Sequence, residues 1–109
     1  MKKNYLLLVC LLVFMPFVKA LAFDCEVDGI YYNRISVDEF EVTSGTNKYA
    51  GDIVIPETVE YREKQFKVVQ IGSNAFKDCT SLTSVAIPQG VTSLTDDAFS
   101  GCTSLTSLN

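Results

Sequence analysis

Ile71-Gly-Ser-Asn-Ala-Phe-Lys-Asp-Cys-Thr-Ser-Leu-Thr-Ser-Val85 and Leu94-Thr-Asp-Asp-Ala-Phe-Ser-Gly-Cys-Thr-Ser-Leu-Thr-Ser-Leu108 are the same segment written twice. Ala75/Ala98, Phe76/Phe99, Cys79/Cys102, Leu82/Leu105 and Val85/Leu108 each lie 23 positions apart. A period in the low twenties with aliphatic residues at fixed offsets marks a stack of short coils. Each coil is too small to bury its apolar stripe alone and is stable only against its neighbours, which is the physics of a solenoid.

Within one repeat, Leu82, Val85 and Ile87 are expected to point inward from a short strand, with Ser84 and Ala86 facing out. Pro88 ends the strand because it has no N–H to give the ladder. Val91 and Leu94 turn inward on the next side. Asp96 or Asp97, and Ser73 or Asn74 one repeat earlier, are placed to cap a short helical or 3₁₀ turn that buries Ala98, Phe99 and Cys102.

The pattern extends upstream with one interruption. Ile53-x-Ile55-Pro56-x-x-Val59 matches Val85-x-Ile87-Pro88-x-x-Val91 at 32 positions rather than 23. The surplus corresponds to a hairpin over Tyr61–Phe66 with the polar turn Arg62–Gln65. After it, Val68-x-x-Ile71 falls back into register with Val91-x-x-Leu94. Residues 53–109 therefore read as leucine-rich repeats, the first atypical with a hairpin inserted at 60–67 and the last incomplete. Residues 23–52 read as a β-rich N-terminal cap over the first coil. Asp28-Gly29 between β-forming residues signals a tight hairpin, since glycine tolerates positive φ. Glu39–Thr43 alternates apolar and polar as a half-buried strand does, and Ser44–Asn47 is the next turn. The fold expected is a leucine-rich repeat solenoid, mostly β with short helical turns, truncated at about two and a half coils.

The first 22 residues read differently. Lys2 and Lys3 precede the apolar run Tyr5–Val18, and Ala20-Leu21-Ala22 has the small-x-small form of a secretory cleavage site. The run is shorter than the roughly 20 residues that span a bilayer and contains Pro16. A cleavable signal peptide cut after Ala22 is expected, delivering a secreted or cell-surface chain of 87 residues. That chain keeps all thirteen acidic residues but six of the nine cations, a net charge of −7, which argues against nucleic acid as a partner.

Histidine and tryptophan are absent, so there is no Ser–His or Cys–His pair and no imidazole metal ligand. No glycine-framed nucleophile of the Gly-x-Ser-x-Gly kind occurs either. No enzyme activity, cofactor, metal or small-molecule substrate is expected. Cys25, Cys79 and Cys102 are an odd number for a disulfide framework. Cys79 and Cys102, at equivalent positions, should stack about one strand spacing apart, roughly 4.8 Å, where a disulfide wants Cβ atoms near about 3.8 Å. Free thiols in the core are the better reading. Asp24-x-Glu26-x-Asp28 places three carboxylates on one strand face, read as solvated because a calcium loop needs further ligands at fixed spacing. The outward strand positions Asp52, Val54, Ser84, Ala86, Ser107 and Asn109 would line the concave side, the usual binding face of a solenoid. Tyr31, Tyr32, Tyr49 and Tyr61 are alternative contacts, read as packing.

The repeat Ile-Gly-x-x-Ala-Phe-x-x-Cys-x-x-Leu-x-x-Val-x-Ile-Pro-x-x-Val over 71–91 resembles the BspA-like bacterial leucine-rich repeats. The leader into it, Val27-Asp-Gly-Ile-Tyr-Tyr-Asn33 and Gly51-Asp-Ile-Val-Ile-Pro-Glu-Thr-Val59, looks like the N-terminal portion of that family. The resemblance implies a surface or secreted protein of host-associated anaerobes. It also implies adhesion to host matrix or plasma proteins such as fibronectin or fibrinogen, or to other bacteria, and brings no catalytic residues. The competing expectation is structural: the non-binding cap fragment of a larger repeat protein, able to self-associate through its exposed terminal strand at Thr106–Asn109.

Overall fold

Two parallel ladders carry the repeat, one on each side of the coil. The computed structural model describes residues 23–95 and 97–109, so the leader 1–22, its cleavage site and Asp96 lie outside the described residues. The first ladder joins β4 (Gly51–Val54), β7 (Leu82–Ala86) and β9 (Ser107–Leu108). Ile53 pairs with Val85 and Val85 with Leu108, the offsets of 32 and 23 expected from sequence. The ladder runs on past the strand ends: the Ile55 N–H donates to Ala86 O at 3.0 Å and the Ile87 N–H to Asn109 O at 2.8 Å.

The second sheet contains β1 (Cys25–Val27), β2 (Ile30–Arg34), β3 (Glu39–Thr43), β5 (Thr58–Tyr61), β6 (Lys64–Ile71) and β8 (Ser93–Leu94). β6 has two roles along its length. Its first half pairs antiparallel with β5 in the hairpin, and its second half pairs parallel with β3 on one edge and β8 on the other. Ile71 lies opposite Leu94, so the chain regains register after the hairpin as expected. The β1–β2–β3 meander extends this sheet through β3 alongside β6.

The core lies between the two sheets. Tyr32, Phe40, Val42, Val68, Ile71, Phe76, Leu82 and Val85 are fully buried. Aromatic rings form two contiguous series, the first mostly tilted or edge-on and the second stacked. One runs Phe23–Tyr31–Tyr49–Phe76–Phe99, with centroids 4.7, 5.8, 4.6 and 5.0 Å apart. The other runs Tyr32–Phe40–Phe66 at 5.1 and 4.1 Å. Phe76 and Phe99 are nearly parallel, 7° between planes, as stacked equivalents of one repeat position should be.

Several expectations need correction. Among the described residues there is no helix. Where a short helical or 3₁₀ turn was expected, the coil makes separate i→i+3 turns. The N–H groups of Ala75, Lys77, Cys79 and Leu82 donate to the carbonyls of Gly72, Asn74, Phe76 and Cys79. Left-handed backbone at Asn74 (φ 62°) and Asp78 (φ 59°) breaks any helical run. Asn74 is thus used for its tolerance of that conformation, not as a cap, and Ser73 makes no capping bond among the described residues. Gly101, one repeat after Asp78, is also left-handed (φ 79°), and a Cβ there would collide with the Asp78 side chain. Leu94 does not turn fully inward: it is 46% exposed and Leu108 is 45% exposed, because a coil covers them on one side only. Asp28 sits in a turn (φ 53°), so the carboxylates of Asp24, Glu26 and Asp28 do not share one strand face.

The Asp28-Gly29 hairpin forms with both residues left-handed and Val27 opposite Ile30. The second hairpin is tighter than expected. Its turn is only Arg62-Glu63, Lys64 and Gln65 belonging to β6, and both turn residues are left-handed without being glycine, at φ 54° and 66°. Each such residue is disfavoured by roughly 1–2 kcal/mol. Glu63→Gly is therefore expected to raise unfolding stability by about 1 kcal/mol, after allowing for the larger unfolded-state entropy of glycine. A urea midpoint that does not rise would show that the turn carries no such strain.

Candidate functional site

The outward face of the β4–β7–β9 ladder follows from where its strands must put their apolar residues. Leu82 and Val85 are both fully buried, three positions apart, so two successive residues between them have to face away. The pairing shift between Gly51 and Asp52 absorbs the odd spacing. Thr83 and Ser84 thereby share the open side, and Thr83 is the residue that simple in–out alternation misses. The spacing Leu82-x-x-Val85 was the signal for it.

The six expected residues form two rows across the ladder. Asp52 pairs with Ser84 and Ser84 with Ser107 in the first row, and Val54 pairs with Ala86 beside Asn109 in the second. Asp52 Oδ1 accepts from Ser84 Oγ at 2.7 Å and Thr83 Oγ1 at 2.8 Å. These two hydroxyls hold the Asp52 carboxyl below the usual carboxylate range, the Ser84 bond contributing most. Asn109 Nδ2 donates to Ser107 Oγ at 3.3 Å. Val54 is 72% exposed, the most open large apolar side chain of the described residues. It lines a cleft of about 350 Å³ together with Val27, Ile30 and Pro56 and with the polar Asp28, Thr58 and Glu60. One ionised carboxylate, small hydroxyls and an apolar corner suit a flat protein surface. The only ionisable group among the six residues is Asp52, and its hydrogen-bond partners are alcohols rather than a base.

The tyrosines are chiefly structural. Tyr31, Tyr32 and Tyr49 are buried and Tyr61 is half-buried. The Tyr49 hydroxyl donates to Thr43 O at 2.6 Å and accepts from the Tyr31 N–H at 3.0 Å. The three cysteines of 23–109 are free thiols, with Cys25 and Cys79 buried and Cys102 half-buried. Burial pushes the Cys25 and Cys79 thiols up. Cys102 Sγ lies 2.9 Å from Phe76 O, so it donates across to the preceding coil. Alkylation of the native chain followed by peptide mapping should label Cys102 well before Cys25 or Cys79. Equal rates for all three would mean that the coil is not closed over Cys79. Among the described residues no helix is long and apolar enough to cross a membrane, and no three potential metal ligands come together.

Residues 46–109 match the family described as "BspA type Leucine rich repeat region (6 copies)". No curated protein matches the chain. Three solved structures do. A leucine-rich repeat protein from Bacteroides ovatus is 30% identical with a TM-score of 0.74, covering 80% of this chain and 23% of that one. A leucine rich cell surface protein from Faecalibacterium prausnitzii is 28% identical with a TM-score of 0.67, covering 78% and 22%. The leucine-rich repeat protein of T. pallidum is 27% identical with a TM-score of 0.62, covering 73% and 36%. The chain thus spans between about a fifth and a third of the length of these relatives.

Proposed function

Because the chain belongs to the BspA-type leucine-rich repeat family, we propose that it is a secreted or cell-surface module that adheres to host or bacterial proteins. A repeat module for protein interaction accords with the family and the fold together. The finer reading is supported by one observation above all: the two rows Asp52–Ser84–Ser107 and Val54–Ala86–Asn109 lie on the open face of a parallel ladder that further coils would extend. Extended faces of this kind are where solenoids bind. Surface localisation draws support from the F. prausnitzii relative, itself a cell surface protein. A non-enzymatic role fits a chain with no histidine and a face whose one carboxylate is occupied by hydroxyls.

The test is binding of the purified chain to immobilised fibronectin and fibrinogen, with and without Ser84→Lys and Ala86→Glu together. Large charged side chains there should reduce binding at least tenfold while leaving the fold intact, since both positions face out. Binding that survives the double change would remove the open face from consideration. The structural alternative, in which these residues chiefly begin a stack of coils, is favoured by the half-open stripe at Leu94, Phe99, Leu105 and Leu108. It predicts no matrix binding, with self-association through Thr106–Asn109 instead.

A further inference from the structure

Residues 23–109 hold six cations against thirteen acids, yet three of the six line one cleft of about 380 Å³. Arg34 comes from the end of β2, Arg62 from the β5–β6 turn and Lys64 from the start of β6. The Arg34 guanidinium and the Lys64 ammonium both sit over the Phe66 ring, 5.5 and 5.7 Å from its centroid, and Arg62 lies over Tyr61 at 5.2 Å. Arg34 is fixed from behind, donating from Nε to Ser36 O at 3.0 Å and from Nη2 to Val37 O at 3.1 Å. Asp24 on the rim uses its carboxylate to accept from the Arg34 backbone N–H at 2.9 Å. Among the described residues the salt bridge that forms, Lys67 with Asp38 at 3.6 Å, involves none of these three cations.

Two like charges over one ring repel, and an acidic chain had carboxylates to spare for them. Three cations that make no salt bridge among the described residues, around an aromatic wall with Asp24 as the one carboxylate of the cleft, concentrate positive potential at one place on a negative molecule. We propose that this cleft recognises a short acidic peptide segment, its carboxylates meeting Arg34, Arg62 and Lys64 while an apolar side chain lies against Tyr61. Planar guanidinium groups match carboxylates, and Arg34, held through Nε and Nη2 by Ser36 O and Val37 O, keeps its Nη1 end for one. The cleft volume is in the range that takes a few side chains. A long polyanion is disfavoured, because outside the cleft it would meet a surface carrying the excess of acidic groups. The site is separate from the β4–β7–β9 face and does not depend on it.

The probe is the blocked tetrapeptide Ac-Glu-Phe-Glu-Glu-NH₂, titrated into the full chain and followed by backbone amide shifts. Saturable shifts are expected at Arg34 and across Tyr61–Phe66. Arg62→Gln and Lys64→Gln, both exposed and outside the core, should each weaken binding about fivefold or more, as should about 0.5 M NaCl. Lys48, on the loop between β3 and β4 and not among the residues lining the cleft, is the control: Lys48→Gln should leave binding unchanged, and the glutamine version of the peptide should not bind. The proposal is overturned if no saturable shift occurs, if the glutamine peptide binds equally, or if a heparin tetrasaccharide binds the same residues more tightly than the peptide. Amide spectra of the variants alone establish that they remain folded.

Discussion

Phe76→Ala is expected to destabilise the protein by about 3–5 kcal/mol, the range for emptying a buried aromatic site. Phe76 is fully buried with Tyr49 on one side and Phe99 on the other, so its removal opens a cavity between two coils. A domain of this size has about 5–10 kcal/mol in all, and the variant should be close to unfolded at room temperature. Phe99 holds the same repeat position but is half-buried, and among the described residues the ring against it is that of Phe76. Phe99→Ala should therefore lose about half as much. Urea titrations of the two variants measure the asymmetry directly. Equal losses would mean that the end coil is covered in solution, and a small loss for Phe76 would contradict the stacking of coils altogether.

The same asymmetry marks what could be seen in the sequence. Offsets of 32 and 23 gave the pairing of Ile53 with Val85 and of Val85 with Leu108 without ambiguity, because a one-residue slip would turn each inward residue outward. Both rows of the open face followed from that register. The turns did not. Ala-Phe-x-x-Cys has helical spacing, and only the backbone at Asn74 and Asp78 reveals that each turn is separate. Tyr49 was illegible for a different reason. It continues the Phe76–Phe99 column, yet stands four residues before Ile53 where Phe76 stands nine before Val85, so no fixed offset finds it. The basic cleft joins Arg34 to residues 28 and 30 positions later, a proximity created by pairing β2 to β3 and β3 to β6. Composition counted those cations as a minority and could not show that they gather.

Tyr49→Phe keeps the ring and tests the hydroxyl. That oxygen closes two buried groups at once, accepting from the Tyr31 N–H and donating to Thr43 O. Phenylalanine leaves a buried donor and a buried acceptor without partners, each worth about 1–3 kcal/mol, so a loss of about 2–4 kcal/mol is expected near neutral pH. The loss should shrink in alkali. Burial pushes the Tyr49 phenol well above its ordinary value, outweighing the opposing effect of the Tyr31 N–H, and burial does the same for Tyr32. The folded state then keeps these protons at a pH where the unfolded chain, titrating near about 10, releases them. Their stabilisation is complete below that pH and declines above it, by up to about 1.4 kcal/mol per pH unit for each group. Tyr49→Phe removes one of the two groups, so wild type and variant should approach each other between about pH 10 and 12. Urea midpoints across that interval decide the matter. A penalty that stays constant from neutral pH into alkali would mean that the Tyr49 hydroxyl ionises as freely in the folded chain as in the unfolded one, and the buried link between the β2–β3 meander and the first coil would have to be abandoned.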